Sequence, residues 1–268
     1  MTLCHRIIKQ TMCYDIKVLH ETALKRARRK HDPDLMQAIE KELKFFKDAE
    51  YHHVSGYAHP NIPIYTSDNP YNPKLQTWGL IPFWIKDEAS ANSIKNKTLN
   101  ARVESIFEKP SFRESARNRR CLVYVDGFYE HHHFIGKAYP YFIHNENEAS
   151  MCIAGLWDEW INKESGEIYR GFSLVTTSGK GIMKQIHNNP KLPEARMPLI
   201  LDTFEEEDWL YNTNEINKLK DFINSKKNTK LKAHTVLPLR GKNSIGNIPE
   251  SSDGFQYPEL LSSLEFDF

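Results

Sequence analysis

The chain has 268 residues, a formal net charge of +1, and 40% hydrophobic and 12% aromatic residues. That is enough apolar material for one large packed domain or two small ones, and the balanced charge excludes a chain-wide basic field, so any nucleic-acid surface has to be a local patch. The four cysteines (Cys4, Cys13, Cys121, Cys152) show neither metal spacing nor a disulfide framework, and no apolar run reaches the roughly 18 residues of a membrane span.

Without a secretory leader the expectation is a cytoplasmic, soluble protein with no membrane partner. Residues 1–11 carry no clear period. Residues 19–50 are predicted helical, because Leu24, Ala27, Leu35, Ala38, Ile39 and Leu43 recur near helical spacing, with a break at His31-Asp32-Pro33. Lys25, Arg26, Arg28, Arg29 and Lys30 read as a solvated face of the first helix. From residue 54 short apolar runs alternate with turn residues. Ile62–Tyr65 and Thr77–Ile81 are predicted strands, with Asn69-Pro70 and Asn72-Pro73 as turns between them. Further strands are expected at 121–125, 139–144, 151–157, 169–177 and 197–201, and short helices at 111–118, near 180–186 and at 203–225. The segment after about 228 is rich in Lys, Asn, Ser and Gly and reads as a tail that wraps the domain or frays. With no repeat and no linker, one α+β domain with much antiparallel sheet is the economical architecture.

The most informative stretch is Cys121-Leu-Val-Tyr-Val-Asp-Gly-Phe-Tyr-Glu130. A buried strand leads into Asp126-Gly127, where glycine is expected to supply the backbone angles of a turn. A carboxylate just beyond, held rigidly and partly desolvated, has a raised pKa and can do acid/base work near neutral pH. The plainer alternative is a hairpin with a solvated Glu130. Elsewhere, Asn100-Ala-Arg102-Val-Glu104 alternates its polar groups onto one face of an extended segment. Trp78-Gly-Leu-Ile-Pro-Phe-Trp84 places two indoles around a proline, as core or as a stacking platform for bases. Val175-Thr176-Thr177-Ser178 ends a strand in hydroxyls, and His187 and Arg196-Met-Pro198 follow. His131, His132 and His133 alternate faces on a strand and cannot all bind one ion, so no metal is expected. If the protein begins at Cys13, its α-amine and thiol form a 1,2-aminothiol that condenses with an aldehyde to a thiazolidine. That amine has a pKa of about 7.7–8.0 against about 10.4 for lysine, which makes it far richer in the nucleophilic neutral form.

In this order, Met12-Cys13, Trp78-Gly-Leu-Ile-Pro82, Asn100-Ala-Arg102, Asp126-Gly-Phe-Tyr-Glu130, Thr176-Thr177 and His187 with Arg196-Met-Pro198 resemble the SOS response-associated peptidase (SRAP) family over about residues 12–210. The resemblance implies an α+β fold around a barrel-like antiparallel sheet with peripheral helices. It implies a monomer without cofactor that crosslinks to abasic sites in single-stranded DNA, nucleoid-associated when bound. By the same resemblance Cys13 is the nucleophile, Asn100 positions it or the sugar, Glu130 shuttles protons and His187 assists at the sugar hydroxyls. Arg102 holds a phosphate, Trp78 and Trp84 line or wedge the DNA, and Thr176, Thr177 and Arg196 contribute to the DNA surface. The domain reading is then a leader or mis-assigned start at 1–11, the family domain at 12–230 and a tail at 231–268.

Three departures stand out. Twelve residues precede Cys13, so it carries an α-amine only if translation starts at Met12 or a leader is removed; Cys4-His-Arg6 is a second, less well registered opening. Asp15 stands where the common pattern has Arg. Residues 188–195 separate His187 from Arg196, where the common pattern is nearly contiguous. A peptidase using Cys13 and His187, and a non-covalent single-strand binder using Trp78 and Trp84, are the alternatives the residues leave open.

Overall fold

The computed structural model describes residues 14–31, 33–47, 50–146, 150–211, 216–226 and 229–261. Its thirteen described strands are β1 Asp15–Val18, β2 Tyr51–Ser55, β3 Asn61–Thr66, β4 Asn69–Trp78, β5 Asn100–Arg102, β6 Arg120–Val125 and β7 Gly127–Phe134, followed by β8 Lys137–Asn145, β9 Met151–Ile161, β10 Ile168–Ser178, β11 Arg196–Pro198, β12 Ile200–Leu201 and β13 Leu231–Thr235. β10, β4, β3, β6 and β9 pair in that sequence, and β9 returns to β10, which closes a five-stranded barrel. Closure covers the edges of β9 and β10 that would otherwise invite pairing with other chains. The barrel is mixed, because β10 runs parallel to β4 and to the short β5.

Strand β6 reads as an unbroken apolar run because both its faces are covered. Cys121, Val123 and Val125 point into the barrel with Ile62, Ile64, Trp78, Ile153, Phe172 and Leu174. Leu122 and Tyr124 point outward, into a second core shared with helical residues Ala27, Ile39, Trp209 and Leu219 and with Leu24 and Leu43 in the turns between helices. This is one α+β domain, with helices His20–Ala23, Lys25–Arg28, Pro33–Glu42, Glu205–Tyr211 and Ile216–Ser225 packed around the barrel.

A second sheet, ordered β13-β8-β7-β1-β2, lies beside the barrel. The chain passes from barrel to second sheet at Asp126, so β6 and β7 are not the two arms of a hairpin. The Asp126 carboxylate accepts from Leu19 N at 2.8 Å and Thr22 Oγ1 at 2.7 Å, which fixes the crossing against the start of helix His20–Ala23. Gly127 is required by space rather than by backbone angle. It is not among the positive-φ residues, but an added Cβ would lie 2.4 Å from the Phe142 ring and 2.6 Å from the Ile143 carbonyl oxygen.

Other expectations are also corrected. β4 starts at Asn69, so the two Asn-Pro pairs lie within a strand. Only Thr77 and Trp78 of β4 pair with β10, which leaves the first part of the strand an edge where proline costs no ladder bond. The basic run at 25–30 is partly interior: Arg26 is buried and donates to Glu206 and Glu207 at 2.6 Å each, while Arg29 reaches Glu206 at 2.9 Å. The segment after 228, by contrast, wraps the domain, as one of its two readings has it: residues 231–235 form β13 against β8, and the chain beyond returns to β1 through Arg240.

Candidate active site

β1 pairs with β7 in the register Asp15↔Tyr129 and Ile16↔Phe128. One step further, back along β1 and onward along β7, Tyr14 stands level with Glu130. Cys13 and Cys4 lie outside the described residues, and Cys13 is joined covalently to Tyr14. Tyr14 is itself held: its carbonyl accepts from Gly56 N at 2.7 Å, and its ring lies 4.8 Å from that of Tyr57.

Glu130 is buried, with its Oε1 accepting from His131 N at 2.9 Å. Its Oε2 is buried with no hydrogen-bond partner among the described residues. Desolvation, helped by the negative charge of Asp15 and opposed by the His131 N–H and Arg240, raises its pKa to about 8. The carboxyl is therefore protonated at neutral pH. His187 Nε2 lies 3.6 Å from Glu130 Oε2. Burial, then the neighbouring His133, Arg196 and His131 charges, lower the His187 pKa to about 4. Both groups are neutral at pH 7, so the contact is not an ion pair there. Arg196 N donates to His187 Nδ1 at 2.7 Å, so Nδ1 is the acceptor and the neutral ring carries its proton on Nε2, the nitrogen facing Glu130.

Further partners extend from this pair. The Arg196 guanidinium holds the Thr176 carbonyl at 2.9 Å and grips Glu104 with two bonds of 2.8 and 2.9 Å, and Glu194 at 2.9 Å. β5 lies parallel to β10 in the register Leu174↔Asn100 and Thr176↔Arg102. Asn100 is buried, Arg102 exposed, Thr176 buried and Thr177 partly exposed. Glu130, His187, Arg196 and Thr176 thus form one connected group at the end of β10, and the strand register sets Asn100, Arg102 and Thr177 beside it. The arrangement offers a neutral acid with a free oxygen beside an imidazole of fixed tautomer, suited to proton transfer to and from a bound hydroxyl or carbonyl.

The model of the SOS response associated peptidase (SRAP) family matches residues 14–242. The chain belongs to this family. Abasic site processing protein YoqW of Bacillus subtilis is 32% identical over 225 residues, covering 82% of this chain and 90% of the relative. Abasic site processing protein HMCES of Rattus norvegicus is 31% identical over 205 residues, covering 65% of this chain and 54% of the relative. A crystal structure of a Bacteroides thetaiotaomicron protein superposes with a TM-score of 0.74 at 31% identity, covering 91% of this chain and all of that one.

Within this SRAP domain two placements differ from the sequence reading. Trp78 is fully buried, stacked on Phe172 with ring centroids 6.2 Å apart, and donates Nε1 to Leu99 O at 2.8 Å. It fills the barrel and presents no face to a base. Trp84 is 44% exposed beside exposed Phe83 and donates Nε1 to Pro110 O at 3.2 Å. Arg196 is 2% exposed and committed to carboxylates, so a phosphate cannot reach its guanidinium without displacing Glu104 or Glu194. Its visible work is to brace Thr176 and orient His187. Glu194, the residue that completes this brace, comes from the inserted 188–195 segment.

Sequence reasoning missed a cluster beside β1. Asp15 is buried and accepts from Arg240 Nη2 at 2.8 and 2.6 Å, and lies 3.2 Å from His53 Nε2. These partners lower its pKa against the opposing effect of burial, which is the largest single influence. Arg240 stands 225 residues from Asp15, and no local pattern signals such a pairing. Among the described residues no three His, Cys, Asp or Glu side chains converge so as to hold a metal ion, and no helix is long and apolar enough to cross a membrane.

Proposed function

We propose that this SRAP chain processes abasic sites in single-stranded DNA, capturing the ring-opened deoxyribose as a thiazolidine on an N-terminal Cys13. The names of the relatives support abasic sites as the substrate. The observation that carries the chemistry is Glu130: a buried acid with pKa about 8, level in the β1–β7 register with Tyr14 and therefore next to the residue that bears the amine. An α-amine titrates at about 7.7–8.0, so the two groups are matched and a proton passes between them at little cost in either direction. The amine adds to the C1′ aldehyde, and Glu130 donates a proton to the hydroxyl that leaves as water, forming an imine. The thiol sulfur then bonds to the imine carbon while its proton passes to nitrogen. The sum is aldehyde plus aminothiol giving thiazolidine plus water. His187, with Nε2–H toward the site, donates to a sugar hydroxyl, and Asn100 positions the reacting groups. Exposed Arg102 and partly exposed Thr177 contact the DNA backbone.

The reading requires a protein whose first residue is Cys13. Such a protein, its mass verified, is mixed with single-stranded DNA containing one abasic site and run on a denaturing gel. A shifted band that survives heat and detergent is expected, and none with intact DNA. No band would overturn covalent capture.

Trp84 is proposed to stack on a base. Because it is exposed, Trp84→Ala should leave stability within about 0.5 kcal/mol. It should weaken single-strand binding by about 1–3 kcal/mol, measured by fluorescence anisotropy. Unchanged affinity would remove Trp84 from the interface.

A further inference from the structure

The barrel has a second end. At the end opposite the candidate active site it opens into a cavity of about 610 Å³, within the roughly 300–1,000 Å³ of small-molecule sites, for which barrel mouths are a favoured position. β10 spans the distance: Arg170 lines the cavity, and Thr176 lies roughly 20 Å further along at about 3.3 Å per residue. The ladders put Gln76 opposite Ile62, Glu159 opposite Arg170, and Trp157 opposite Phe172, so these side chains share the lumen face. The Trp78–Phe172 stack, one lumen-facing position further in on β4 and β10, plugs the barrel beneath them.

Two polar atoms of the lining are orphaned. Gln76, 4% exposed, has its Oε1 buried without a hydrogen-bond partner among the described residues, and Trp157 Nε1 is in the same condition. Each such atom costs about 1–3 kcal/mol, and an occupant offering one donor and one acceptor would remove both costs. The rim excludes anions. Lys74 is held by Glu42 at 2.6 Å and Arg170 by Glu159 at 2.8 Å, and Asp68 adds a third carboxylate against two cations. A phosphate would find both cations already paired and an excess negative charge. A neutral heteroaromatic ring with adjacent donor and acceptor fits the indole, the carboxamide and the charge together, since a glutamine amide pairs bidentately with a base edge.

We propose that this barrel mouth is a binding site for an uncharged nucleoside, with its ring against Trp157 and its base edge on Gln76. The site is separate from the Glu130–His187 group and independent of the crosslinking chemistry. The test is calorimetric titration of the full chain with adenosine and with cytidine, and with adenosine monophosphate as the charged comparison. Saturable binding of a nucleoside is expected, at least tenfold tighter than the monophosphate. Gln76→Met and Trp157→Phe should each weaken it at least tenfold. Gln76→Met should also keep or raise the melting temperature, because it deletes an orphaned polar atom, whereas a purely structural glutamine would lower it on replacement. Absence of saturable nucleoside binding at millimolar concentration, equal or tighter binding of the monophosphate, or unchanged binding by Gln76→Met would each overturn the proposal.

Discussion

Glu130→Gln is expected to slow the proposed thiazolidine formation by roughly 10²–10⁴-fold, the range over which a positioned acid/base group contributes. Glutamine keeps the size and can still accept from His131 N, but it cannot give up a proton. The same variant should report on the buried carboxyl through stability. The Glu130 pKa is raised from 4.5 to about 8 in the folded state. The folded protein therefore binds more protons than the unfolded chain between those values, and its stability falls as pH rises through that window. The part contributed by Glu130 is complete below about pH 4.5 and lost above about pH 8. A non-ionising glutamine does not follow this fall. The variant should match the parent near pH 4.5 and exceed it at pH 9, by on the order of 2–4 kcal/mol. Thermal melts at the two pH values measure the effect, and rapid-quench crosslinking measures the rate. A wild-type crosslinking rate would remove Glu130 from the chemistry, and lower stability of the variant at pH 9 would mean that the carboxylate is stabilised there by a partner.

The parts of this site legible in the sequence are those whose signal is local. β6 is plain because a strand covered on both faces must be apolar throughout, and Glu130 lies a fixed number of residues beyond it. Asn100 and Arg102 share an extended segment, and that parity survives in the β5–β10 register. What is illegible depends on partners far along the chain. Asp15–Val18 contains an acid and a lysine in four residues, and it is a strand because β2 and β7 flank it. Trp78 and Trp84 occur in one short motif yet have opposite fates. Trp78 ends β4 on the lumen face, whereas Trp84 lies past the strand in a loop. Arg196 reads as part of a DNA surface, because a guanidinium fork that binds carboxylate would bind phosphate equally well. Only the fold shows that Glu104, 92 residues away, already occupies it.

Gly127→Ala should be among the most damaging substitutions of a small residue in the chain. Asp-Gly suggests a turn that needs a left-handed residue, but the structure locates the constraint in the neighbouring strand. The added methyl would sit 2.4 Å from two Phe142 ring atoms and 2.6 Å from the Ile143 carbonyl oxygen. Phe142 could swing aside at the expense of its packing with Tyr129, Val236 and Leu239. The Ile143 oxygen is backbone and cannot move without shifting β8 against β7, where Ile143 pairs with Phe128. Overpacking against a backbone atom is expected to cost about 3 kcal/mol or more. For a chain of this size that lowers the melting temperature by roughly 6–12 °C. Gly136, in the turn between β7 and β8, supplies the contrast. Its φ is +74° and nothing lies within 4 Å of the position an added methyl would take, so Gly136→Ala should cost only about 1–2 kcal/mol, from backbone conformation alone. The two variants also differ in their reach toward the chemistry. A shift of β7 at Gly127 propagates three residues to Glu130 and alters its approach to His187, whereas strain at Gly136 lies at the far end of the hairpin. Crosslinking assayed well below both melting temperatures should therefore slow for Gly127→Ala and stay near wild type for Gly136→Ala. Equal rates would show that the position of Glu130 is set by its contacts with His131 and β1 rather than by the packing of β7 on β8.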